Sequence, residues 1–182
     1  MNNMDASARR AAFIREQLPK EGLFAGHQWR VATKPFGLPG NLVKKLKGLG
    51  RVLLKFYQSA DLLYRQSVSG KQPQWVAEHL DLGKPENLIA LQRENRLKTA
   101  LPAVIRPDIL LTEEGWIITE LDSVPGGIGL TAWLSQAYTD CGTEVIGGNA
   151  GMTNGFSGIF EGSNDVHIIV SEESATYRPE MH

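Results

Sequence analysis

A chain of 182 residues is long enough for one sizeable hydrophobic core, and 42% apolar with 21% charged residues is an ordinary globular composition. A net charge of −1 gives no electrostatic case for nucleic acid or an anionic membrane surface, and no apolar run reaches the length needed to cross a bilayer. Cys141 is the single cysteine, so no internal disulfide is available. Residues 1–20 carry charges throughout, without the apolar stretch of a secretory signal; a cytoplasmic protein is the expectation.

The pattern predicts a short helix over Ala6–Leu18, with Asp5 ahead of it and Pro19 as a stop. Residues 21–40 hold four glycines and two prolines and are expected to be mostly loop, with Trp29–Ala32 a brief extended piece. Asn41–Val68 is the longest helical candidate, because Leu42, Leu46, Leu49, Leu53, Ala60 and Tyr64 recur at three- and four-residue steps. Its lysines and Arg51 suit the wet face of a packed helix. Gln74–Leu80 supplies a further turn or two, and Pro85-Glu86 opens a helix expected to run to about Thr99. Gly70-Lys71 lacks both the upstream glycine and the following hydroxyl of a P-loop.

Residues 105–129 organise the rest. Two apolar runs, 109–111 and 116–118, flank Thr112-Glu113-Glu114-Gly115, the signature of a β-hairpin. A three-residue loop, Glu113-Glu114-Gly115, would set Thr112 opposite Trp116, Leu110 opposite Ile118, Asp108 opposite Glu120 and Arg106 opposite Asp122. Three carboxylates and one guanidinium then share a face at the open end. Like charges opposed across a ladder call for a cation or a proton between them, and hard oxygen donors suit Mg²⁺. The same residues also fit a solvated strand end in which Arg106 simply pairs with Asp122.

Beyond the hairpin, Gly126-Gly127-Ile128-Gly129 precedes a helix from Leu130 to Tyr138 that Cys141-Gly142 ends. The glycines either let backbone N–H groups approach a phosphate or only turn the chain. Thr143–Ile146 suggests a short buried strand, 154–161 a short helix, and Val166–Val170 the clearest buried strand of the chain. Ser171–Ser174 has helix-capping character. His27, His79, His167 and His182 show no paired metal-ligand spacing, and Ser171 and Ser174 lack a nucleophile elbow.

Arg106-x-Asp108, the acidic-glycine turn, and Glu120-x-Asp122 followed by Pro125 and glycines resemble the carboxylate–amine ligases related to glutathionylspermidine synthase, within the circularly permuted ATP-grasp group. Trp29-Arg30, Phe56-Tyr57, Leu63-Tyr64 and Gly83-Lys84-Pro85 extend a looser similarity upstream. The resemblance implies that Arg106 contacts phosphate or the reacting acyl group, and that Asp108, Glu120 and Asp122 hold Mg²⁺ against ATP. Asp122 departs from the family's usual Asn, adding a negative charge.

The expected fold class is α/β: a mainly helical region, 1–100, followed by an α/β region, 101–182, with a mixed sheet of four or five strands and packed helices. This would be the pre-ATP-grasp, N-terminal portion of a longer ATP-dependent ligase acting on small carboxylate and amine substrates. A portion without the adenine-clamping domain is expected to be inactive alone. The alternative is a noncatalytic small-anion-binding or assembly module built on the glycine-rich residues 126–155. A third reading is a structural domain whose exposed apolar surface meets a second copy or a further C-terminal domain.

Overall fold

The computed structural model describes residues 3–18, 20, 30, 32–123, 126–160, 162, 165–175 and 177–178. The expected stop at Pro19, the extended piece around Trp29 and Val31, and Pro125 lie outside the described residues. Among the described residues are six α-helices and one two-stranded antiparallel sheet. Mixed helix and strand, with helix dominant, agrees with the expected class. Contacts divide the chain into two compact units, one formed by residues 1–37 with 124–182, the other by Leu38–Ser123.

In the first unit, α1 (Asn3–Glu16) and α5 (Ile128–Asp140) meet through Ile14, Ala137 and Tyr138, all buried. Trp133, Leu134, Cys141 and Val145 pack around them. Both large aromatics of α5 also satisfy their polar atoms: Trp133 Nε1 donates to the Gln17 carbonyl at 3.0 Å, and Tyr138 Oη to that of Ala32 at 3.0 Å. Gly127, at φ 78°, sits immediately before α5 and turns the chain into it. α6 (Gly151–Ser157) follows, continued by a 3-10 turn to Phe160, and the Phe156 and Phe160 rings pack edge to face at 5.2 Å.

The sheet is smaller than expected. Neither Thr143–Ile146 nor Val166–Val170 forms a ladder among the described residues. Val166–Val170 has the composition of a buried strand, yet Ile169 is 94% exposed. β-Branched residues favour a strand only when a neighbouring strand and a packing face are present, and among the described residues no neighbouring strand pairs with this segment. The capping pattern at Ser171–Ser174 closes a turn, Ser174 N–H to the Ser171 carbonyl at 3.1 Å, and no α-helix follows among the described residues.

The second unit is built on α2 (Gly40–Val68), which matches the expected Asn41–Val68. Its buried residues Leu42, Leu53, Tyr64 and Ser67 fall on one stripe. Lys44, Lys45, Lys47, Arg51 and Lys55 are all exposed, as a solvated face requires. α3 (Trp75–Asp81) packs back through Val76 and Ala77. The Ser67 hydroxyl fixes that return: it donates to the Pro73 carbonyl at 2.6 Å and accepts the Ala77 N–H at 3.0 Å. α4 (Glu86–Gln92) stops well short of Thr99, because Glu94 turns extended at ψ 140° before a 3-10 turn over Asn95–Leu97.

Candidate functional site: the hairpin and the helical hub beside it

The hairpin forms where expected, from β1 (Arg106–Thr112) and β2 (Gly115–Asp122). Its register is expected at one end and new at the other. Arg106 faces Asp122 and Asp108 faces Glu120, whereas Leu110 faces Ile117 and Thr112 faces Gly115. The ladder slips by one residue between Asp108 and Ile109, leaving Thr119 as the extra residue of a β-bulge. Thr119 Oγ1 donates to the Asp108 carbonyl at 3.3 Å and so fastens the bulge to the acidic end. At the turn, Glu113 and Glu114 keep negative φ while Gly115 takes φ 145°, so glycine supplies the conformation the other two avoid.

The bulge has a packing rationale. An unbroken ladder would put Thr119 opposite Ile109 and Ile117 opposite Leu111. The slip instead sets Ile118 against Ile109 and Trp116 against Leu111. With Pro107 opposite Leu121, one face becomes wholly apolar, and apolar cross-strand pairs are what stabilise a hairpin. The other face carries Arg106, Asp108, Glu120 and Asp122 at its open end.

Within that end, Arg106 Nη1 donates to Asp122 Oδ2 at 3.2 Å. Both side chains are 38% exposed, so the pair contributes at most about 1 kcal/mol. Asp108 and Glu120 are exposed and directly opposed. The four predicted residues therefore share one strand end. Among the described residues, no group of three or more His, Cys, Asp or Glu side chains is placed to hold a metal ion. Asp108 and Glu120 can offer two carboxylates. That donor set suits Mg²⁺ shared with phosphate oxygens and water, which is how Mg²⁺ is usually bound, rather than an all-protein cage.

Sequence reasoning placed Tyr64 on an apolar stripe and missed the polar cluster around its hydroxyl. Tyr64 Oη donates to Asp81 Oδ1 at 2.8 Å and lies 2.7 Å from Gln92 Nε2 and 3.2 Å from Arg93 Nε. Arg93 Nη2 donates to Asp81 Oδ2 at 2.6 Å, and Lys84 Nζ to Gln92 Oε1 at 3.1 Å. One phenol, one carboxylate, one amide and one guanidinium thus tie α2 to α3 and α4. Burial works to raise the Asp81 carboxyl, but the hydrogen bonds from Tyr64 and Arg93 and the Arg93 charge outweigh it and hold Asp81 below the usual carboxylate range. The Arg93 guanidinium is raised, first by its hydrogen bond to Tyr64 and then by that to Asp81. Nothing in the spacing of Tyr64, Asp81 and Gln92 marks them as partners; helix-to-helix contacts of this kind leave no local pattern.

Comparison of the chain with family models, with curated proteins and with solved structures returns no match.

Proposed function

We propose that the hairpin is the metal–phosphate contact of an ATP-dependent carboxylate–amine ligase of the ATP-grasp kind. The observation that supports this reading is the bulged register, which opposes Asp108 to Glu120 and Arg106 to Asp122 on one face. Asp108 and Glu120 would hold Mg²⁺ together with the phosphate oxygens of ATP. The bound ion would supply electrostatic stabilisation of charge on the phosphates. Arg106 would present its guanidinium to the transferring phosphoryl or acyl oxygens, where fixed positive charge counts most. Asp122, hydrogen-bonded to Arg106, would aim that guanidinium rather than ligate the metal, a role its contact suits better than direct coordination. The reaction proposed is transfer of the terminal phosphoryl group of ATP to a carboxylate, releasing ADP, followed by displacement of phosphate by an amine to give an amide.

Thermal unfolding of the chain with Mg²⁺ alone, with ATP alone and with Mg²⁺·ATP tests the proposal. Ligand at ten times its Kd raises the stability of the fold that binds it by about 1.4 kcal/mol. Mg²⁺·ATP is expected to raise Tm, Mg²⁺ alone to do little, and both Asp108→Asn and Glu120→Gln to abolish the rise. A rise that both variants retain, or none at all with Mg²⁺·ATP, sinks the reading. Equal stabilisation by inorganic phosphate without metal would favour a noncatalytic anion-binding module.

A further inference from the structure

A second candidate site shares no lining residue with the acidic hairpin end and does not depend on the ligase reading. An open cleft of about 400 Å³ runs beside the C-terminal half of α2, closed on its other side by residues 98–101. That volume falls within the roughly 300–1,000 Å³ of small-molecule clefts. Its lining combines two kinds of surface. Leu62 and Leu101 offer apolar area, and Leu62 is 52% exposed on the surface of the helix. Arg65, Lys71 and Lys98 supply cationic groups around it.

The charges in the cleft are unequal. Asp61 is the one acidic residue of the lining, and Arg65 Nε already donates to both of its oxygens, at 2.9 and 3.1 Å. Arg65 is further held by its Nη2, which donates to the Gln92 carbonyl at 3.2 Å. The Asp61–Arg65 pair is thus internally neutralised and fixed. Lys71 and Lys98 have no acidic or hydrogen-bonding side-chain partner among the described residues, so two positive charges remain in excess beside apolar surface. A ligand with a short apolar body and an anionic head uses both features at once.

We propose that this cleft binds a small amphipathic organic anion, its apolar body on Leu62 and Leu101 and its carboxylate or phosphate between Lys71 and Lys98. Arg65, locked by Asp61 and Gln92, shapes the wall behind the head group without giving up its own pairing. Affinity should fall with added salt, since both lysines are exposed to screening.

The test is calorimetric titration of the full chain with n-hexyl phosphate, with 1-hexanol and inorganic phosphate as the two half-ligands, and amide chemical-shift mapping of the same titrations. Expected are saturable binding of n-hexyl phosphate, shifts confined to residues 58–71 and 98–101, and clearly weaker binding of either half-ligand. The double variant Lys71→Gln/Lys98→Gln should bind about tenfold more weakly, while Lys71→Arg/Lys98→Arg keeps the affinity of the parent. Far-UV circular dichroism establishes that each variant is folded, and the arginine pair carries the comparison should the glutamine pair not fold. No saturable binding, shifts elsewhere, equal binding of 1-hexanol or of inorganic phosphate, or a folded glutamine variant that binds as tightly as the parent would overturn the assignment.

Discussion

Asp81 shows how a single carboxylate can carry a helix junction. It receives Tyr64, Gln92 and Arg93 together, at 2.6–2.8 Å, and its side chain is only 11% exposed. Because the fold holds this carboxyl below the ordinary value of 3.8, the unfolded chain binds its proton more readily than the folded one. The stabilisation is therefore complete above the ordinary carboxylate range and is lost as pH falls through the lower, folded value. Asp81→Asn is expected to unfold at lower urea than the parent at pH 7, with the gap narrowing as the two are compared below about pH 4. Urea midpoints at pH 7, 5, 4 and 3 measure this; a gap constant across the series would mean that Asp81 acts through shape rather than charge. Tyr64 could be placed on the buried stripe from its spacing alone, but its hydroxyl partners are 17, 28 and 29 residues away and follow only from how three helices meet.

At the scale of elements, the legible parts are those whose pattern is self-sufficient. α2 presents an apolar residue at nearly every third or fourth step, and a helix makes its own hydrogen bonds, so its ends were predictable to within a residue. The hairpin was legible at Asp108–Glu120 and Arg106–Asp122, and for a reason that was incomplete. A one-residue difference at the turn and the extra residue at Thr119 cancel, restoring the expected pairing at the far end. Removing Thr119 should therefore leave a regular ladder with Ile109 still against Ile118 and Asp108 still against Glu120. Cross-strand nuclear Overhauser contacts in the deletion variant check this, and loss of the Asp108–Glu120 contact would show that the bulge sets the register instead of absorbing it. Val166–Val170 fails for the opposite reason. Its side chains favour a strand, but a strand is completed by a neighbour, and no local pattern supplies one.

For the whole molecule, the balance of buried and exposed apolar side chains is the main feature. Among the described residues Ile14 is fully buried and Ala137 and Ser67 nearly so, whereas Phe36, Val52, Trp75, Leu82, Ile146 and Ile169 are each more than 60% exposed. Among the described residues no helix is long and apolar enough to cross a membrane. Sedimentation velocity across the micromolar range should show the weight-average coefficient rising with concentration. The pair Ile168→Lys/Ile169→Lys should flatten that rise, because charge on an extended apolar segment opposes strand-to-strand association. A parent that sediments identically at every concentration would rule out self-association through this surface.

The first unit draws on both ends of the chain, and this bears on how the protein is made. Gln17 and Trp133 bond across 116 residues of sequence. At the usual rate of about 5–20 residues per second, Gln17 is added roughly 6–23 s before Trp133. During that interval Ile14 has no lasting partner, while everything needed for Leu38–Ser123 is being delivered in an unbroken run. The middle of the polypeptide is thus free to settle first, and the burial of Ile14 against Ala137 and Tyr138 waits until α5 has been made.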